Sequence, residues 1–240
     1  MSHCELCHGK GFTIRFNSET KEDTAYPCEC WLKRDEESYR KNMLVKAHIP
    51  QKYWDYSLEN YQSCPLENSD IKEANRPSVE KMDEFIKDPK KFLSNYSVLW
   101  IWGKQPNAGH TALAIMLARE LLNLKNRRRV RFIRMQELLS EFTNFEEKKE
   151  FFKNFEKFDI YLLDDAFDTT RCIASGEYTR IHLYNWLNSV ISNKKYLICT
   201  SKIPITQIDV QFEQSKNLLL KPGVPCSLEF QGTIQRVGGK

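Results

Sequence analysis

A strand, a glycine-bearing loop and a helix in direct succession constrain this chain more than any other stretch. Val98-Leu99-Trp100-Ile101-Trp102 is a compact apolar run of the length a buried strand would have. Gly103 to Gly109 carries the glycine, proline and asparagine of a turn. From Thr111 a helical pattern follows, with Leu113, Leu117, Leu121 and Leu124 on one face. This is the frame of a phosphate-binding loop, where backbone N–H groups and a helix N-terminus face an anion. The usual pattern is G-x-x-x-x-G-K-[ST]. Here five residues separate Gly103 from Gly109, and His110 stands where the lysine belongs.

The alternation continues beyond that helix. Val130–Ile133 reads as a strand, Met135–Phe142 as a helix, and Glu146–Phe158 as a charged helix with Phe151, Phe152 and Phe155 facing inward. Asp159–Asp165 is an apolar strand ending in two carboxylates, and Thr179–Ser192 a long helix. Tyr196–Cys199 is a buried strand ending at Thr200-Ser201-Lys202, and Ser227–Phe230 a short last strand. Strands separated by helices predict an α/β fold with a parallel sheet covered on both faces. Ligands of such sheets bind at the C-terminal strand ends.

Those ends carry the candidate site. Gly103, Lys104, Asn107, Gly109, His110 and Thr111 are the candidate contacts of ATP or ADP, with Asp164, Thr200 and Ser201 across the edge. Thr111 and Asp164 are the candidate Mg²⁺ ligands, and Asp165 the candidate catalytic residue that orients or activates the attacking water. A lysine would bring a permanent cation, whereas a histidine is shorter and mostly neutral near pH 7. Its presence predicts weaker phosphate binding and, more severely, weaker transition-state stabilisation. Lys104 could reach back to compensate.

The front of the chain carries a second signal. Cys4, Cys7, Cys28 and Cys30 form the pattern C-x2-C-x20-C-x-C, and two close thiolate pairs can enclose Zn²⁺ tetrahedrally. Four protein ligands leave no open position, so such a zinc is structural. Gly9 and Gly11 give the knuckle its backbone freedom. Phe12–Phe16 alternates like a strand, with Asn17-Ser18 a turn signal, so the expectation is a small hairpin pinned by metal. His3 and His8 rank below the cysteines as ligands. A charged helix from Trp31 to Leu44 closes this module, residues 1–45.

Residues 46–96 read as a linker. It holds an aromatic segment (Tyr53, Trp54, Tyr56 and Tyr61), a polar loop over 62–77, and an amphipathic helix over 78–93. Residues 97–240 form the α/β core. At 240 residues and 41% hydrophobic, the chain has material for one such domain plus a small module. No apolar run approaches the roughly 20 residues of a membrane span, and the N-terminus has no signal-peptide core. A cytoplasmic setting and no membrane partner are expected. A net charge of +4 does not itself predict nucleic-acid binding. The clustered Lys125, Arg127, Arg128, Arg129 and Arg131, with Arg171 and Arg180, either line a single-strand groove or decorate a solvated helix end.

The order of motifs resembles the AAA+ replicative helicase loaders of the DnaC/DnaI type, including their phage versions. The resemblance rests on the cysteine knuckle, on Ile49-Pro50 followed by Leu58-Glu59-Asn60-Tyr61, on the phosphate loop, on Asp164-Asp165, and on Thr200-Ser201. It implies an AAA+ core with strand order 5-1-4-3-2 that binds ATP–Mg²⁺ and touches single-stranded DNA, and a zinc module that binds the hexameric replicative helicase. It also implies Thr111 and Asp164 at Mg²⁺, Asp165 as the catalytic acidic residue, and Thr200 or Ser201 as sensor. The family's arginine box should fall near residues 211–220, where no arginine occurs and only Lys216 could stand in. The leading expectation is a helicase loader or adaptor with weakened or lost ATP hydrolysis. An inactive AAA+ decoy that inhibits a helicase or its loader is the second, and a slow ATPase or nucleotide switch the third. Self-association stays open, although the missing arginine argues against a cooperative ATPase ring.

Overall fold

The computed structural model describes residues 4–17, 21–54, 69–104, 109–123, 129–168, 176–221 and 225–230. They fall into two compact units, Met1–Lys46 and Ala47–Lys240.

In the first unit, β1 (Phe12–Asn17) pairs antiparallel with β2 (Glu22–Pro27), placing Phe12 opposite Pro27 and Ile14 opposite Ala25. This is the hairpin expected between the cysteine pairs. Helix α1 (Glu29–Lys46) follows directly from the second pair.

The second unit opens on a 3-10 turn, Gln51–Tyr53, where the Trp54 indole donates to the Ile49 carbonyl at 2.9 Å. Tyr56, Tyr61 and the Leu58–Tyr61 motif lie outside the described residues. Two helices replace the single one expected over 78–93: α2 (Ser69–Lys87) and α3 (Pro89–Asn95). Asp88 separates them, its carboxylate accepting from the Lys91 N–H at 3.0 Å while Pro89 supplies a first helical turn that needs no donor. The loop expected over 62–77 is corrected from Ser69 onward. Helix α2 runs through Pro77, a residue that costs helix interiors about 3 kcal/mol. Tertiary contact offsets that cost. Asn75, Ser78, Met82 and Phe85 are buried, and the Ser78 hydroxyl donates to the Glu229 carbonyl at 2.7 Å.

The sheet strands are β3 (Val98–Trp102), β4 (Val130–Arg134), β5 (Ile160–Asp164), β6 (Tyr196–Ser201) and β7 (Pro225–Glu229). All pair in parallel, in the order β4-β5-β6-β3-β7. Counted from β3 as the first core strand this is 5-1-4-3-2, the expected order. Every residue of β5 is buried, which is why that strand reads as a continuous apolar run. Helices α4 (His110–Asn123), α5 (Met135–Thr143), α6 (Phe145–Lys153), α7 (Glu177–Ser192) and α8 (Glu213–Leu219) complete the unit. Leu113, Leu117 and Leu121 of α4 are buried as its pattern predicts, while Leu124 lies outside the described residues. The helix expected over Glu146–Phe158 stops at Lys153. The Asn154 side-chain amide donates back to the Glu150 carbonyl there, and a 3-10 turn, Phe155–Lys157, carries the chain on. On one side of the sheet the core centres on Trp186 of α7, edge-on to Tyr161 of β5 with ring centroids 5.3 Å apart.

Candidate nucleotide and metal sites

The C-terminal edge of the sheet gathers the predicted residues. Trp102 and Ser201 are register partners on β3 and β6, so the loop after β3 and the residues after β6 emerge side by side. Gly109 sits at φ +77°, a left-handed conformation that suits glycine, and its carbonyl accepts the first α4 bond from Leu113 at 2.9 Å. The amides of the first α4 turn are then left facing outward from a helix N-terminus. Asn107 lies outside the described residues, and Lys104 is exposed.

Two of the predicted side chains converge on one atom of a third. The Thr111 hydroxyl donates to Asp164 Oδ1 at 2.6 Å, and the Thr200 hydroxyl donates to the same oxygen at 2.7 Å. Thr200 Oγ1 in turn accepts the Asp165 N–H at 3.1 Å. Burial raises the Asp164 pKa; the two hydroxyls oppose that shift, and Asp165 adds to it. A cation beside this buried carboxylate would favour its charged form. Mg²⁺ fits the donor set, because adjacent ligands of an octahedral magnesium lie about 2.9 Å apart, close to the 2.6 Å Thr111–Asp164 separation.

Asp165 follows Asp164 in a left-handed conformation, φ +53°, and Phe167 adopts another at φ +55°. Aspartate tolerates this region and phenylalanine does not. The turn is held by tertiary contacts. The Ala166 N–H donates to the Thr200 carbonyl at 2.7 Å, and Phe167 is buried against Trp100 and Phe212. The Ser201 hydroxyl donates to the Ala166 carbonyl at 2.7 Å, so of the two sensor candidates only Thr200 touches Asp164.

His110 and Gly103 meet in a way the sequence did not announce. A Cβ built on Gly103 would lie 2.1 Å from the Phe230 carbonyl oxygen and 2.5 Å from His110 Nε2. The imidazole is therefore tucked against the start of the loop and the end of β7, and its Nε2 is buried without a hydrogen-bond partner among the described residues. Burial lowers its pKa to about 4, so it is neutral at pH 7. The unfolded chain takes up this proton near 6.5 and the folded chain only near 4. Stability therefore rises with pH across that window and is lost on acidification. Lowering the pH from 7 to 4 in magnesium-free buffer is expected to remove about 3 kcal/mol through His110. Urea melts of His110→Gln should show that part of the pH slope flattened.

The other basic candidates are engaged. Arg129 pairs with Asp159 at 3.6 Å, Arg131 with Glu141 at 3.5 Å, and the Arg180 guanidinium donates to Gln211 at 3.0 Å. Lys216, the stand-in for the missing arginine, bonds Glu213 of its own helix at 2.9 Å. Lys125, Arg127, Arg128 and Arg171 lie outside the described residues. The sequence reading gave Lys202 and Asp168 no role. They form an ion pair of 2.6 Å at the same sheet edge, and no local signal joins them, since Lys202 directly follows β6 whereas Asp168 lies beyond the turn that follows β5.

In the first unit the sulfur atoms of Cys4, Cys7, Cys28 and Cys30 all lie within 4.8 Å of one another. The Cys4–Cys28 and Cys7–Cys30 sulfur separations are 3.7 and 3.3 Å. A tetrahedral Zn–S₄ centre requires about 3.8 Å, so the donor set fits zinc. His8, Gly9 and Gly11 have positive φ, and the Gly11 N–H donates to Cys7 Sγ at 3.4 Å. That amide, with the neighbouring Cys30, lowers the Cys7 pKa to about 6 and favours the thiolate a metal needs. His3 lies outside the described residues.

No protein-family profile and no curated protein matches the chain. Solved structures do. The DnaC helicase loader has a TM-score of 0.51 at 15% identity, over 76% of this chain and 100% of that one. DnaI has a TM-score of 0.55 at 16% identity, over 76% of this chain and 95% of that one. The replication initiator DnaA, bound to AMPPCP and single-stranded DNA, has a TM-score of 0.56 at 20% identity over 78% of this chain. The chain spans about half of that DnaA, 52% of its length. The core is thus an AAA+ fold, and its structural neighbours include the DnaC and DnaI proteins that the motif order resembles. No helix among the described residues is long and apolar enough to cross a membrane.

Proposed function

We infer that this chain is a replication accessory protein that binds a hexameric replicative helicase and helps place it on single-stranded DNA. It holds ATP or ADP with Mg²⁺ at the C-terminal sheet edge and hydrolyses it weakly or not at all. The observation that carries this reading is the shared Asp164 oxygen, on which Thr111 and Thr200 converge in an AAA+ core. A metal–phosphate site needs that arrangement, and a merely structural strand end does not. Asp165 is the group placed to act on water. Phe12, Ile14 and Phe16 alternate along β1 and are 44, 64 and 68% exposed, an apolar strip that supports a protein partner for the zinc module.

The neutral, inward-turned His110 and the Lys216–Glu213 pair favour weak hydrolysis, and with it the decoy as a second reading. One set of measurements separates them. A tagged replicative helicase hexamer should retain the wild type and lose Cys4→Ser/Cys7→Ser. MgATP should raise the Tm of the wild type by several degrees and leave Thr111→Ala unmoved. A loader then increases helicase occupancy on single-stranded DNA, whereas a decoy lowers it. Failure of the helicase to retain the wild type would dismiss both readings.

A further inference from the structure

The nucleotide reading leaves a gap that the fold itself fills, and the inference drawn from it rests on that reading. A triphosphate with its magnesium keeps net negative charge, and a phosphate loop ordinarily meets it with a lysine on the first helical turn. In this chain that position is His110, whose ring is packed against Gly103 and the Phe230 carbonyl. An imidazole held there, with its Nε2 buried, donates no charge to a ligand over the loop.

We propose that Lys202 supplies the missing cation, reaching the phosphates from the end of β6 rather than from the loop. Its position follows from the register. Ser201 is opposite Trp102, and the Gly103 N–H donates to the Ser201 carbonyl at 3.2 Å, so Lys202 leaves β6 beside the first residue of the loop. Thr200, two residues before it, already bonds Asp164. Lys202 is therefore flanked by the loop on one side and the Asp164–Asp165 turn on the other. Its side chain is half exposed, at 52%, and so has room to move.

Its partner explains where it waits. Asp168 is 10% exposed at the side chain and lies at the end of the strained turn, its N–H donating to the Asp165 carbonyl at 3.4 Å. The Lys202 ammonium sits 2.6 Å from Asp168 Oδ2. A lysine ammonium has three donors on a flexible four-carbon stem, and one carboxylate oxygen uses a single donor. Phosphate oxygens arriving over the loop therefore compete with Asp168 for the cation or share it. Asp168 acts as a holding group that keeps Lys202 at the edge.

The proposal gives opposite signs for the two members of the pair, which a structural ion pair would not. Loss of one charge-assisted contact to phosphate should weaken binding about tenfold or more. The experiment is titration calorimetry of MgATP on the full-length protein with its zinc, on wild type, Lys202→Met, Lys202→Arg and Asp168→Asn. Lys202→Met should weaken binding at least tenfold, Lys202→Arg should restore most of it, and Asp168→Asn should tighten it severalfold by removing the competitor. The salt dependence of binding should also become shallower in Lys202→Met. Equal affinity of Lys202→Met and wild type would overturn the proposal. So would a loss of binding shared by Lys202→Met and Asp168→Asn, because that is the signature of a pair that only holds the turn together. A wild type that binds no MgATP would instead dismiss the nucleotide reading itself, and the role of Lys202 with it.

Discussion

Stripping zinc from the protein is expected to unfold residues 4–46 while leaving the second unit folded. The first unit has little else to hold it. Its buried hydrophobic residues, among those described, are Cys7, Cys28 and Leu44, and the hairpin exposes Phe12, Ile14 and Phe16. A module this small does not bury enough apolar surface to offset the entropy of ordering its chain. In comparable modules a structural zinc contributes about 10–16 kcal/mol at pH 7, and that binding energy is the folding energy. The knuckle is also built for the folded state alone. His8, Gly9 and Gly11 hold positive φ, and a Cβ on Gly11 would come within 2.9 Å of the Trp31 ring, so the turn is moulded onto α1. Metal analysis should find one zinc per chain. After chelation, amide protection in β1 and β2 should vanish and Trp31 emission should shift to the red. Amides of β5, at the centre of the other unit, should keep their protection. Persistence of hairpin protection in protein shown to be zinc-free would mean that side-chain packing, and not the metal, folds this unit. Helicase retention should follow the same titration, because the apolar strip on β1 exists as a surface only while the hairpin does.

The parts of the fold that could be read from the sequence are those whose cause is local. The strands β3, β5 and β6 are buried on both faces, so each appears as an uninterrupted apolar run, followed by a glycine after β3 and ending in polar residues in β5 and β6. The cysteine site could be read for a similar reason, since paired thiols two or three residues apart can face one ion whatever surrounds them. Helix α2 could not. Pro77 and the polar residues before it carry the local signature of a loop, and the helix is anchored by the burial of Asn75, Ser78, Met82 and Phe85 and by the Ser78–Glu229 hydrogen bond. The candidate site divides along the same line. The order of Thr111, Asp164 and Thr200 along alternating strands and helices places them at one sheet edge, and the two threonine hydroxyls do meet there on one Asp164 oxygen. The role of position 110 was half visible: the residue type showed that a cation was missing. That the imidazole would turn to the end of β7 depends on a strand that arrives much later in the chain. Thr200 and Ser201 are equivalent sensor candidates in the sequence, and their hydrogen bonds, to the Asp164 carboxylate and the Ala166 carbonyl, tell them apart.

Gly103→Ala is expected to destabilise the second unit by about 2–3 kcal/mol, the cost of overpacking a rigid site. In a phosphate loop a glycine at this position is ordinarily explained by the turn. Gly103 has a different constraint: its Cα faces the Phe230 carbonyl so closely that a methyl group would lie 2.1 Å from the oxygen. That oxygen is backbone and cannot rotate away. Phe230 is itself fixed, its N–H donating to the Trp102 carbonyl at 2.8 Å as the last rung between β3 and β7. Relief therefore requires that β7 peel back from β3 at that end or that β3 shift against β6, and either movement displaces the loop from the Thr111–Asp164–Thr200 cluster. The expected result is a loss of protection at the Phe230 amide, a lower urea midpoint, and loss of MgATP binding together. Adding His110→Ala to Gly103→Ala tests the geometry further. It removes the contact at 2.5 Å but not the one at 2.1 Å, so the double variant should recover only a minor part of the lost stability. Full recovery would place the strain in the imidazole and not in the strand. A single variant whose melt stays within about 0.5 kcal/mol of the wild type, the range of an ordinary surface change, would show that the β7 end yields freely and that Gly103 serves the turn alone.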